Sequence, residues 1–260
     1  FVEQQGLGLH AQRAGDGGAL LLAARQLRGP RLGLVADAHL VEQRPRPGLD
    51  LGRALAQVMG LEFDPQEMDF SMILPAVQAG TLDAGMSGFT DTEERRESYD
   101  FVDFLYAGIQ WAQQPGNDVD PANPCGLTVA VQRTTVSETD DVRPKSDACA
   151  AAGEDPITVL SFDTSDNAAL AALTGRADAF SADSPVTAWA VERSDGDLEL
   201  VGEMFDAAPY GIAVNKNSEL GPALAAAMQH LIDTGEYARI LNQWNIDSGL
   251  IDEALINEQP

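Results

Sequence analysis

The chain has 260 residues, 44% of them hydrophobic, and carries 16 Lys and Arg against 41 Asp and Glu, a formal net charge of −25. Such a surface repels nucleic acid phosphates and anionic lipid heads, which argues against nucleic-acid binding. No run approaches the ~18 consecutive apolar residues of a membrane span, and the length suits one large domain or two of about 100–150 residues.

The first residue is Phe1 rather than Met, which reads as a processed or trimmed chain. Any signal peptide or lipid-anchor cysteine would then lie outside the sequence. Residues 1–30 are Gly-rich and then run ALLLAARQL, which suggests a short helix. RLGLVADA (31–38) predicts a strand ending at Asp37, and PRPG (45–48) a turn. Asp50 is a candidate cap for a helix with apolar positions Leu51, Ala54, Leu55, Val58 and Met59, stopped by Gly60. LEFD (61–64) predicts a strand, Ser71 a cap for MILPAVQA, Gly80 its stop, and LDAGMSG (82–88) a strand.

After Cys125 the pattern repeats: strands at 127–132, 157–162, 177–182, 198–202 and 210–215, with helices between them. Ser165 is a candidate cap for DNAALAALT, and Asp183 ends a strand before SPVTAWAVERS. Residues 73–88 and 168–183 echo one another: helix, Gly, short turn, Asp-Ala, strand. This is βαβ alternation, hence parallel sheet, in two lobes of similar build. The polar, Pro-rich 109–124 and the stretch 203–211 are the candidate crossings between lobes, and the C-terminal helices, with Tyr237, Ile240 and Trp244 on one face, return to the first.

Several residues admit two readings. Arg95 and Arg96 in GFTDTEERRESYDF (88–101) can pair with Asp91, Glu93 and Glu94, or one can be held for a carboxylate from outside the protein. Asp183 can cap a helix or meet a ligand cation. Phe70 can be core or pocket wall. Cys125 and Cys149 can form one disulfide or remain buried thiols. Asp118 and Asp120 invite a calcium reading, but no EF-hand loop follows. His230 reads as a surface or packing residue. Neither P-loop, GxGxxG after a strand, GxSxG elbow nor zinc-spaced Cys/His cluster occurs, so no catalytic residue, metal ligand or cofactor is assigned.

DLGRALAQVMG, MDFSMILPAVQAGTLDAGMSGFTDTEERRESYDFVDFLYAG, CGLTVAVQRTTVSETDD, GRADAFSADSPVTAWAV, APYGIAVNKNSEL and LIDTGEYARILNQW together resemble the family 3 extracellular solute-binding proteins, receptors of polar amino acid ABC importers. The resemblance covers about residues 31–247. It implies an α/β, two-lobed, type II periplasmic-binding-protein fold, each lobe a βα-rich sheet flanked by helices, with two hinge crossings. Lobe one would be 1–109 plus 209–260 and lobe two 110–208, closing on a ligand between them. It implies an extracytoplasmic, non-catalytic receptor for an amino acid or related small carboxylate. The partner would be an ABC permease, and membrane association would come only through permease docking or a lipid anchor.

The same resemblance gives Arg95 the ligand carboxylate, with Thr90 and the 88–92 loop as further donors, and leaves Arg96 as a solvated charge or ion pair. It gives Asp183 and the Gly88 carbonyl the ammonium, and Phe70 the ligand side chain. Paired cysteines like those of actinobacterial members imply the Cys125–Cys149 disulfide. Two departures stand out. Many relatives read Gly-Thr-Thr where this chain has Thr134-Thr135-Val136, so Val136 keeps a backbone N–H but no hydroxyl, and Thr135 is the remaining lobe-two candidate. After Asp37, which keeps an acid, the usual aromatic is missing, with His39 or Leu40 near its place. A sensor domain, and a dehydratase-like enzyme using Asp37, Glu42 or His39 as general acid, are the alternative readings on the same fold.

Overall fold

The computed structural model describes residues 47–243, 246 and 248–258, together with the backbone of residues 31–37. The expected helix before residue 30, and His10, His39, Leu40, Glu42, Trp244 and the Asp37 side chain, lie outside the described residues.

Eight strands form one mixed sheet: β1 (Arg31–Asp37), β2 (Glu62–Met68), β3 (Ala84–Gly85), β4 (Tyr99–Gln113), β5 (Thr128–Gln132), β6 (Thr158–Phe162), β7 (Ala179–Asp183) and β8 (Glu199–Asn215), in the order β2-β1-β3-β8-β4-β7-β5-β6. Strand β1 lies parallel to β2 and β3, and β5 lies parallel to β6 and β7. Between these two parallel triplets run β8 and β4, antiparallel to each other and to their outer neighbours. The halves are therefore built alike, and the internal echo has a place in each. Helix α2 (Phe70–Gln78) leads to β3, and α5 (Ser165–Leu173) leads to β7. Gly80 and Gly175 turn the chain after them at φ 69° and 71°, a conformation that costs a side chain dearly.

The crossings are strands rather than loops. The segments expected as separate pieces at 198–202 and 210–215 fuse into the 17-residue β8, and β4 runs 15 residues through both halves. Their mutual register slips between Asp103 and Leu105, between Ala107 and Ile109, and between Ile109 and Trp111. Such irregularities bend and twist a strand pair, here where one half passes into the other. The Pro-rich 114–124 segment lies beyond the crossing and packs on the second half through Val119.

The remaining helices are α1 (Pro47–Met59), the one-turn α3 (Glu93–Arg96), α4 (Arg143–Ala152) after a π-helical turn at Ser137–Val142, α6 (Ser184–Arg193), α7 (Leu220–Asp233) and α8 (Glu236–Asn242). Helices α1, α7 and α8 bury Leu51, Leu55, Met59, Met228, Leu231, Tyr237 and Ile240 on one face of the first half, and α2 buries Ile73 and Val77 on the other. The C-terminal helices thus complete the first half. In the second half Trp111, Val129, Val131 and Val142 form one core, and Ala168, Ala171, Ala172 and Phe180 the other.

Three expected helix starts shift. Helix α1 begins at Pro47, whose missing N–H suits a first turn, and Asp50 sits inside that turn paired with Arg53 at 3.0 Å. Helix α2 is preceded by Asp69 rather than capped by Ser71. Thr164, not Ser165, caps α5, accepting from the Asn167 N–H at 3.2 Å. Cys125 and Cys149 form a disulfide with Cα atoms 5.6 Å apart, tying the loop before β5 to α4.

Candidate functional site

Strands β3, β5 and β7 all end at the boundary between the halves, and the chain leaving each supplies the site. In open parallel sheets the crevice beyond the carboxyl ends of the strands is where ligands bind. After β3 the segment 89–91 is sewn to β8: the Gly211 N–H donates to Phe89 O at 2.9 Å, and the Asp91 N–H to Pro209 O at 2.8 Å. Thr92 then caps α3 by accepting from the Arg95 N–H at 3.3 Å. That single turn sends the two arginines to different surroundings.

Arg96 takes the local acid. Its Nε lies 2.6 Å from Asp91 Oδ1, its Nη2 donates to Asp91 O at 3.2 Å and also to Glu258 O, and its side chain is only 11% exposed. It forms an ion pair whose carboxylate is fully buried and whose guanidinium is largely covered, rather than a solvated charge. Arg95 makes no ion pair among the described residues. Its Nη1 donates to Thr90 O at 2.8 Å and its Nη2 reaches across to Thr134 O at 3.2 Å, with the guanidinium 5.7 Å over the Phe89 ring. Burial lowers its pKa, while Asp183 and Asp140 act in the opposite direction.

From the second half, β5 leads into a tight turn. Thr134 adopts φ 63°, a strained position for a β-branched residue. Glu138 holds it there. One carboxylate oxygen accepts from the Thr134 N–H at 2.7 Å, and the other from Arg143 Nη2 at 2.6 Å and Ser161 Oγ at 2.8 Å. Burial pushes the Glu138 carboxyl up, but those three donors outweigh it and hold it below the usual range. The turn thereby presents the Thr134 carbonyl to Arg95. Thr135 Oγ1 donates to Gln132 O at 2.8 Å. The Val136 side chain packs into the second-half core. Ser137 Oγ is wholly buried with no hydrogen-bond partner among the described residues.

Asp183 closes β7 and precedes α6, yet its side chain makes no capping bond. It is 7% exposed. Burial raises its pKa to about 6, with the Tyr210 hydroxyl and Arg95 acting the other way. Tyr210, on β8, is buried, and its own hydroxyl finds no well-formed hydrogen bond.

A small cavity, partly open to solvent, lies between these segments. Phe70, Gly88, Thr135 and Asp183 line it, so four of the candidate residues meet there. Phe70 both stacks on Phe89, ring centroids 4.5 Å apart, and forms the wall, so the core and pocket readings hold together. Thr90 and Arg95 stand beside these residues on the first-half side. Asp37 ends β1, beside β3 in the sheet, but its side chain lies outside the described residues.

The cavity also takes Ser87, Gln132, Ser137, Ser165, Ala182 and Val186, none of which sequence reasoning assigned to it. Ser165, expected as a cap, instead donates to Gln132 Oε1. The one available signal was position, since each lies at or just beyond the end of a strand that stops at the cleft, or in the first turn of the next helix. Among the described residues no Cys/His/Asp/Glu cluster suits a metal, and Asp120 is engaged within its own turn with the Ala122 N–H and Asn123.

Two similar α/β halves, two crossing strands and a polar cleft between them define a two-lobed solute-binding fold. The model of the bacterial extracellular solute-binding proteins, family 3, matches residues 48–247, and the chain belongs to that family. It is 66% identical over 214 residues to the arginine-binding protein ArgT of Corynebacterium glutamicum, covering 82% of this chain and 70% of that one. It is 29% identical to an L-arginine-binding protein of Pseudomonas aeruginosa, covering 75% and 77%. Among solved structures it is similar to an ancestral arginine-binding protein bound to arginine, with TM-score 0.74, 30% identity, and coverage of 83% and 98%.

Proposed function

We propose that the chain is the receptor of an ABC importer for arginine or a closely related basic amino acid. Lobe one comprises 1–109 with 209–260, and lobe two 110–208. The cleft between them takes the ligand, and the closed form delivers it to a permease. The receptor works outside the cytoplasm and meets the membrane through permease docking or a lipid anchor. Its role is to hold the ligand, not to transform it.

One observation carries this reading: Arg95, in a chain rich in carboxylates, has none as an ion-pair partner among the described residues, and Asp183 lies close enough to act on its charge. A free amino acid supplies the missing pair. Its carboxylate matches the two-donor guanidinium fork of Arg95, with donors from Thr90 and from Ser137, whose hydroxyl has no partner among the described residues, and Thr135 beside them with its hydroxyl given to Gln132 O. Its ammonium meets Asp183 and the Gly88 carbonyl, where an otherwise costly buried carboxylate gains a cation. A cationic ligand side chain would lie along Phe70, a favourable cation–π surface, with Asp37 as its proposed counter-charge. The identity to arginine-binding relatives supports this choice of side chain.

Calorimetry with the twenty amino acids tests it. Arginine should bind saturably and more tightly than glutamine or glutamate. If it does not bind, or if an acidic amino acid binds best, the assignment fails.

A further inference from the structure

The established family does not explain Tyr210. This residue sits on β8 where the strand passes between the halves, opposite Leu105, and it also bridges to Thr90. Its ring packs against Phe104, centroids 6.2 Å apart, so the side chain is fixed from behind. Its hydroxyl is buried without a complete hydrogen bond, an arrangement that costs stability unless it serves a purpose.

The hydroxyl occupies a particular space. A Cβ added at Gly88 would lie 3.0 Å from Tyr210 Oη and 3.1 Å from Cζ. Gly88 lines the cavity, so the tyrosine fills from behind the volume that a side chain at 88 would take. The charged and titratable groups facing Asp183 are Tyr210 from β8 and Arg95 from α3, while Asp140 and Glu94 bear on Arg95. Asp183 has no helix-capping bond to orient it, and it lines the same cavity as Gly88, so the unsatisfied Tyr210 hydroxyl is the neutral donor at hand.

We propose that Tyr210 is the positioning residue of the ammonium subsite: from the hinge strand, in the space left by Gly88, its hydroxyl orients the Asp183 carboxylate toward the ligand. This rests on the amino-acid reading above. The phenol stays protonated, because burial and the Asp183 charge push its pKa well above the ordinary value. It therefore keeps a proton to offer Asp183 throughout the working range. Since Tyr210 belongs to β8, the ammonium subsite is fastened to the crossing strand itself, and ligand capture and hinge geometry share one residue.

The test is Tyr210→Phe, which keeps the ring and removes only the oxygen. Calorimetry is run with arginine and with 5-guanidinopentanoate, which has the carboxylate and guanidinium but no ammonium. Arginine affinity should fall about 10-fold, the order expected for a hydrogen bond to a charged group, while binding of the des-amino compound should be unchanged. The acid limb of arginine binding should also move to higher pH, because Asp183 loses a donor that favours its charged form. An equal loss for both compounds, or an unmoved acid limb, overturns the proposal. If wild-type protein binds no amino acid, the functional reading falls and takes this inference with it. If wild-type protein binds arginine and Tyr210→Phe binds it equally, only this inference falls.

Discussion

Arg95 Nη2 donates to the carbonyl oxygen of Thr134 at 3.2 Å, so a side chain of α3 in the first half touches the turn after β5 in the second. The bond places a guanidinium against a backbone dipole where a carboxylate would bind more strongly. It also places Arg95 within reach of both halves, which is what a residue must do if ligand binding is to hold the halves together.

The two neighbouring arginines should behave in opposite ways. Arg96→Ala leaves Asp91, whose side chain is fully buried, without its cation. Equilibrium unfolding should show a loss of roughly 3–5 kcal/mol. Arg95→Ala removes no ion pair and should cost under about 1 kcal/mol. A similar loss in both variants would contradict the separation of their roles.

Thr134 is held at φ 63° through its N–H, and its carbonyl is the atom that Arg95 meets. Thr134→Gly preserves both backbone groups and relieves the strain, so the unfolding free energy from denaturant titration should rise by about 0.5–1 kcal/mol. A loss of stability would mean that the Thr134 hydroxyl, which donates to Arg133 O at 2.7 Å, outweighs the backbone strain.

Binding should depend on pH through Asp183. Its folded pKa, raised to about 6, exceeds the ordinary 3.8. Its contribution to stability is therefore present below about pH 4 and lost as pH rises to about 6, a change on the order of 2–3 kcal/mol. Binding of an ammonium favours the ionised form and reverses that loss. Arginine affinity should be level above about pH 7 and fall as pH drops below about 6, with proton release on binding in that range. Calorimetry in buffers of different ionisation enthalpy reads that release directly.

The disulfide joins residues 24 apart in sequence, away from the cavity. Reduction, or Cys125→Ser with Cys149→Ser, should remove about 3–4 kcal/mol of stability on the chain-entropy model. Arginine affinity at room temperature should not change. A matching loss of affinity would place the loop before β5 in the binding mechanism.

The sequence made the βα alternation and the two similar halves legible because strand runs and glycine stops recur at matching points. It did not show the two crossing strands whole. Strands β4 and β8 serve the cores of both halves, so buried polar residues such as Asp103 and Gln110 interrupt their apolar pattern. Helix starts shifted where capping residues stand side by side, as Thr164 and Ser165 do. In the site, Arg95 and Asp183 were legible only through the family resemblance, since the residues alone left Arg95 an ion pair and Asp183 a helix cap as second readings. Ser137 and Tyr210 were not, since a hydroxyl has no periodicity and its lack of a partner is visible only in three dimensions. The opposite fates of Arg95 and Arg96 depended on one helical turn, which places Asp91 beside one and the cleft beside the other.

Arg95 as the carboxylate clamp is central to the proposed function. The most direct measurement is calorimetric titration of arginine into wild-type protein and Arg95→Ala, with thermal unfolding of both recorded alongside. Wild-type protein should bind saturably, and Arg95→Ala should bind roughly 100-fold more weakly or not at all, with its thermal midpoint essentially unchanged. Full affinity in Arg95→Ala would contradict the assignment.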